Sequence, residues 1–283
     1  MKLLNFKKLH GAEAIMTKET DLFIGPRREI ILIKVEQNRK TSLFDHHIVC
    51  IEKNNSYRYL FKDQNKFDIV QPMEDGLWLL ASRYSDIGNK ENASVFDSAS
   101  GEKLYSFHLG DAIAECLVDE DNKIWVIYGD DGIFGDSHIS QNGIACLNSC
   151  GELLPNPFSD KMLNGEIPLI VDGCSLNIME DNSILFGYYA ESQIISHYHK
   201  HDSLKLFEID NGYPLWITSE DRYIYWGNED NRIFSLDKVT KNLEEVVTSF
   251  EGNEVTLYKK IFARGSVIWA LSERELFICD LIN

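Results

Sequence analysis

Nowhere does the chain run apolar for the roughly eighteen positions that a membrane-spanning helix needs, so no helical span is expected. The opening MKLLNFKKLHGAEAIM carries lysines but neither a continuous apolar segment nor a small-residue cleavage site, which argues against a secretory leader. Basic residues are scarce: 28 Lys+Arg stand against 45 Asp+Glu, a formal net charge of −17. That field repels phosphate backbones and anionic lipid, so nucleic-acid and membrane-surface roles are disfavoured while a basic protein partner is permitted. The six cysteines are dispersed, most of them in apolar runs, and read as buried thiols of a cytoplasmic, reduced protein. Cys146 and Cys150 stand close together in CLNSC, but no second pair and no Cys-x-x-His completes a metal site. A Gly-x-Ser-x-Gly elbow, a P-loop, a dinucleotide fingerprint and a His-Glu-x-x-His pair are all missing, so no cofactor is implied. No amphipathic stripe persists for about twelve residues, which leaves little room for long helices.

What the chain does have is one phrase in several versions. A short apolar run, an acidic or glycine-containing turn and an aromatic-rich run recur in FDIVQPMEDGLWLLA, AECLVDEDNKIWVIYG, SLNIMEDNSILFGYY, PLWITSEDRYIYWG and LYKKIFARGSVIWAL. The anchors Trp78, Trp125, Leu185, Tyr225 and Trp269 recur at intervals of roughly 40–60 residues, a propeller-like period with loop insertions. After each aromatic run comes a strand, a turn of Asp, Asn, Ser or Gly, and another strand, as in ASVFDSASGEKLYSF and NRIFSLDKVTKNLEEV. Four strands per unit make a propeller blade. Runs such as KIWVIY are apolar on both alternation faces, as in a sheet covered on both sides.

These units predict an all-β, six-bladed β-propeller forming a single domain over residues 1–283. Residues 12–67 make the first blade, followed by 68–112, 113–170, 171–212 and 213–256. The last copy provides only three strands, and KLLNFKKL at residues 2–9 is expected to complete it and so remove an exposed edge. Seven blades follow if residues 18–67 hold two compressed units.

The least generic stretch is IWVIYGDDGIFGD, residues 124–136, followed by GIACLNSCGEL. It resembles a segment of a group of poorly characterised bacterial six-bladed propeller-like proteins, in which an Ile-Trp-Val strand runs into an acidic Gly-hydrophobic-Phe-Gly loop. Ile124, Trp125, Val126 and Tyr128 match, as do Asp131, Gly132, Ile133, Phe134 and Gly135. Gly129 departs from the Phe expected there, and Leu147-Asn148 replaces a Phe-Asp-like pair. The resemblance implies a fold and a bacterial, cytoplasmic setting and brings no catalytic residues. Physically, the three glycines permit positive φ or close backbone approach. Ile133 and Phe134 are expected to plug the loop onto its blade, leaving Asp130, Asp131 and Asp136 to satisfy backbone donors or face solvent.

In SQIISHYHKHD, His197, His199 and His201 fall on one face of a strand, about 13 Å end to end. Two imidazoles can share a zinc, but the third cannot join them without a bend. With Tyr198, Lys200 and Asp202 interleaved, the histidines read as solvent-exposed or partner-contacting on a projecting hairpin, and no metal is expected.

Two function classes remain. The alternative is a calcium-dependent propeller hydrolase or lactonase-like enzyme, which gathers carboxylate ligands from different blades; the turn acids Glu74, Asp75, Asp119, Asp121, Glu180, Asp181, Glu220 and Asp221 occupy similar places in successive units, yet turn chemistry alone explains their recurrence. A protein-binding scaffold of toxin-neutralising kind needs aromatic anchors beside charged loops. Tyr84, Asp130, Asp131, Phe134, Asp136, Tyr198 and Trp226 are the partner-binding candidates, with a protein, basic in character, as the partner. This non-enzymatic reading is the preferred one.

Overall fold

The computed structural model describes residues 2–9, 19–52, 55–85, 91–199, 203–251, 253–254, 260–272 and 275–282. Strands dominate throughout, and the α-helices among the described residues are the short α1 (Asp130–Ile133) and α2 (Pro157–Leu163). None is long and apolar enough to cross a membrane. Two compact units are distinguished: residues 1–16 with 174–283, which include β1 (Lys2–Leu9), and residues 17–173.

The 17–173 unit holds three antiparallel meanders. The first is β2 (Asp21–Ile24), β3 (Ile30–Gln37), β4 (Phe44–Glu52) and β5 (Asn55–Asp63), paired in that order. Residues 21–63, where the sequence admits two compressed units, thus form one sheet of long strands. The second is β6 (Ile69–Pro72), β7 (Leu77–Ala81), β8 (Ala93–Asp97) and β9 (Lys103–Phe107). The third is β10 (Ile113–Val118), β11 (Ile124–Tyr128) and β12 (Ile144–Leu147). Instead of a fourth strand it carries an isolated Leu147–Leu153 bridge, and Leu154 N–H donates to the Cys146 carbonyl at 2.8 Å.

The other unit repeats the pattern. Its meanders are β13 (Asp172–Ile178), β14 (Ile184–Tyr189), β15 (Gln193–His199) and β16 (Ser203–Ile209), then β17 (Trp216–Ser219), β18 (Tyr223–Gly227), β19 (Ile233–Asp237) and β20 (Leu243–Phe250). A short β21 (Asn253–Glu254) folds back on β20. The final meander is β22 (Lys260–Arg264), β23 (Val267–Ser272) and β24 (Glu275–Asp280). β1 does complete this last sheet, but only through Lys7–Leu9, which pair antiparallel with Leu276–Ile278. Its first half, Lys2–Phe6, pairs in parallel with Val246–Phe250 of β20. One strand therefore joins two meanders into a nine-stranded sheet.

All five sequence anchors fall on the second strand of their meanders, β7, β11, β14, β18 and β23. Those strands are nearly continuous in burial because both faces are covered, which is why their apolar residues do not alternate. Each core lies between neighbouring meanders. Phe61 and Phe67 meet Trp78 and Phe96 across the first pair, with the Phe61 and Phe96 rings 5.0 Å apart. Leu185 and Ile195 meet Trp226 and Phe234 in the other unit. Leu4 and Phe6 of β1 pack with Trp216, Tyr225 and Phe277. The first hairpin of several meanders turns through a left-handed residue, Asp75 (φ 57), Asn122 (φ 60) or Asn182 (φ 59), side-chain types that tolerate this region.

Candidate functional site

Successive connections in the 17–173 unit bring three stretches to one end of its sheets: 82–85 with 91–92 after β7, 108–112 before β10 and 129–143 after β11. Asp111 ties them together. Its Oδ1 accepts the Ser85 N–H at 2.8 Å and the Ala112 N–H at 3.0 Å, while its own N–H donates to Ser140 Oγ at 2.6 Å. Arg83 lies beneath, donating through Nη1 to the carbonyls of Ile113 (2.9 Å) and Ala114 (2.5 Å). Gly129 N–H donates to the Ala112 carbonyl at 2.8 Å, which starts α1 directly over this junction.

None of the three glycines of the 129–135 loop has positive φ, and two of them, Gly132 and Gly135, act by close approach. A Cβ on Gly132 would lie 2.1 Å from the Asp111 carbonyl oxygen, and one on Gly135 2.7 Å from that of Asp131. Only a residue without a side chain allows the loop to press down so far. Ile133 is buried and plugs the loop, as the sequence predicts. Phe134 does not: helical geometry turns it the other way, and it is 68% exposed. Tyr84 on the neighbouring loop is 64% exposed.

The loop that carries Phe134 is rich in carboxylates. Asp130, Asp131 and Asp136 are exposed; Asp130 Oδ1 caps the Asp131 N–H at 2.8 Å, and Asp172 Oδ1 accepts the Asp130 N–H at 3.2 Å. Burial raises the Asp172 pKa, the Asp130 N–H opposes that, and repulsion from Asp130 and Asp131 adds to it. Ser137 Oγ and His108 Nε2 share a 2.8 Å hydrogen bond, and Gln141 Nε2 holds the Gly135 carbonyl at 2.8 Å. The result is a preorganised loop surface with apolar rings standing among negative charge. Sequence reasoning missed Asp111, whose signal, an acid beside Gly110 ahead of an apolar strand, is indistinguishable from an ordinary turn.

Five of the seven candidates thus share one end of one unit. The other two do not. Trp226 has 0% exposure in the core between β14 and β18, stacked on Phe234 at 5.7 Å, and the reading of it as a surface anchor is corrected. It lies on a second strand with both faces covered, where a large ring is a packing element. Tyr198 is half-buried on β15 in the 174–283 unit, paired across Ile184 and Leu204.

The exposed-histidine expectation is also corrected for His197. It is 4% exposed, and its Nε2 shares a 2.9 Å hydrogen bond with Ser183 Oγ on the preceding hairpin. Burial, then the neighbouring His199 and Lys238, depress its pKa to about 3. The His197 and His199 rings lie 4.0 Å apart, and His199 Nδ1 approaches Asp181 at 3.7 Å. His201 lies outside the described residues. Among the described residues no group of three or more His, Cys, Asp or Glu side chains is placed to hold a metal. Several recurrent turn acids are already hydrogen-bonded, some within their own turn and some to other meanders. Asp119 accepts the Asp121 and Lys123 N–H groups and Trp125 Nε1, Glu180 accepts Ser266, and Glu220 accepts Tyr225 and Lys2.

No protein-family model matches the chain, and no curated protein matches it. Among solved structures it is similar to the PQQ-bound form of aldose sugar dehydrogenase (Adh) from Streptomyces coelicolor, at 10% identity over 97% of this chain and 97% of that one, with a TM-score of 0.56. It is also similar to the WD40 β-propeller domain of Doa1, at 11% identity over 93% and 90% of the two chains, with a TM-score of 0.47. At this identity the likeness to the sugar dehydrogenase speaks to fold alone, which is all-β and propeller-like.

Proposed function

We propose that the chain is a non-catalytic protein-binding scaffold: a single six-bladed propeller, its six meanders serving as blades and β1 closing the ring, whose 82–85, 108–112 and 129–143 loops receive a partner carrying basic and apolar side chains. The observation that carries this reading is the exposure of Tyr84 and Phe134 on backbone locked by Asp111 and Gly132. Aromatic side chains lose little entropy on docking, and rigid support lowers that cost further. The surrounding aspartates supply complementarity to lysine and arginine, which acts mainly on encounter rate and choice of partner.

The test is comparative affinity purification from the native cell using the intact chain, Tyr84→Ala, Phe134→Ala and the double variant, each verified as folded by circular dichroism. A partner captured by the intact chain and re-bound in purified form should lose roughly tenfold or more in affinity with each single variant. Equal binding by all four proteins would remove these loops as the interface.

A further inference from the structure

A second feature of the 17–173 unit adjoins the partner surface and shares Tyr84 with it. Between the first and second meanders lies an open cleft of about 290 Å³, walled by Phe44 and Tyr84 and carrying Lys66, Asp68, Arg83 and Glu91. In a chain of net charge −17, this cleft is balanced, with two cationic and two anionic side chains. Balance disfavours a multiply charged ligand of either sign and suits one that carries both charges.

Lys66 and Asp68 flank Phe67, which is fully buried and donates its N–H to His46 Nε2 at 3.0 Å. Lys66 and Asp68 both line the cleft, on either side of the buried Phe67. They do not pair with one another: no ion pair joins them among the described residues, and Lys66 is exposed. Asp68 uses Oδ1 to accept the Arg83 N–H at 3.0 Å, which fixes the carboxylate. Arg83 in turn is held by the Ile113 and Ala114 carbonyls. The lining thus presents a fixed anion, a free cation on a flexible stem and two aromatic walls.

We propose that the cleft binds a small zwitterion of the α-amino-acid type. Its ammonium group meets Asp68 beside the Tyr84 ring, its carboxylate meets Lys66, and an apolar side chain lies against Phe44. A cleft of this volume matches a single amino acid better than a drug-sized ligand.

Isothermal titration calorimetry of the full chain with L-leucine and L-phenylalanine, each compared with its N-acetyl and its C-terminal amide derivative, tests the proposal. The free amino acid should bind, and both capped forms should bind at least about tenfold more weakly, since each has lost one charge. Asp68→Asn keeps the acceptor for Arg83, and Lys66→Met removes an exposed ammonium, so both variants should melt like the parent and lose roughly tenfold in affinity. Absence of binding at millimolar ligand overturns the proposal, and so do capped forms that bind as well as the free amino acid or variants that bind unchanged. The cleft variants leave both anchors, Tyr84 and Phe134, in place, and the partner experiment leaves Lys66 and Asp68 in place, so a loss in one assay with the other unchanged tells the two readings apart.

Discussion

Gly132 has the least freedom of any residue in the loop surface. Its missing Cβ lets α1 rest on the Asp111 carbonyl, and backbone on both sides leaves nothing flexible to give way. Gly132→Ala should destabilise the protein by about 1–3 kcal/mol, as overpacking does, and should weaken partner capture although no contacting side chain is lost. Chemical denaturation and binding measured on the same variant check this. His197 makes a different kind of prediction. Its folded pKa of about 3 lies far below the roughly 6.5 of an unfolded imidazole. Above about pH 6.5 both states are neutral and the residue costs nothing. As pH falls from there towards 3, the unfolded chain takes up a proton that the folded chain refuses, so stability declines by up to about 1.4 kcal/mol per pH unit. His197→Gln should flatten that part of the stability–pH curve, and an unchanged slope in urea titrations would refute the assignment. Asp172 works in the opposite sense. Its raised pKa means that ionisation opposes folding, so Asp172→Asn should be neutral to mildly stabilising at pH 7, by no more than about 1 kcal/mol given solvent screening. The gain should vanish below about pH 3.9, where the carboxyl is protonated in both states.

At the scale of elements, β1 stands apart because one strand serves two partners. Lys2–Phe6 extend β20 in parallel while Lys7–Leu9 extend β24 antiparallel, and Leu4 and Phe6 are buried among residues of both meanders. Lys2 lies 3.1 Å from the Tyr223 ring centroid and bonds Glu220 at 2.9 Å, and Asn5 accepts the Ser249 hydroxyl, so the strand is anchored by side chains as well as by its ladder. Phe6→Ala should cost about 3–5 kcal/mol. If β1 couples the two meanders, hydrogen exchange should show the amides of β20 and β24 losing protection together. Loss confined to β24 would mean that the parallel half of the strand contributes nothing. The third meander shows the converse economy. Lacking a full outer strand, it covers its edge with the Leu153–Leu154 segment and with Asn156, which donates to the Ile144 carbonyl. Its edge is thereby hidden from further strand pairing.

For the molecule as a whole, charge sets the expected behaviour towards partners. With a net charge of −17, and exposed aspartates on the loop that carries Phe134, association with a basic protein should be steered over long range. The association rate should fall steeply between low salt and about 0.15 M, where the screening length is about 8 Å, while dissociation changes little. Stopped-flow measurement across ionic strength separates the two, and a salt-independent association rate would contradict the basic-partner reading. The same acidity makes the balanced charge of the cleft beside Lys66 and Asp68 conspicuous.

The repeating phrase by itself determined the class of fold, the span of each meander and the placement of Trp78, Trp125, Leu185, Tyr225 and Trp269 on equivalent strands, because side-chain period and turn chemistry are local properties. It also pointed to residues 2–9 as a strand added to the last sheet and to the 129–136 loop as unusual. Only tertiary structure decided which aromatic of a pair faces out. Phe134 and Trp226 are equally apolar in sequence, yet α1 turns one to solvent while a neighbouring meander covers the other. The same holds for His197, buried by a hairpin whose Ser183 is fourteen residues away, and for β1, whose division between two sheets depends on residues more than two hundred positions distant. Burial is set by what packs from elsewhere in the chain, and that is not written in the local pattern.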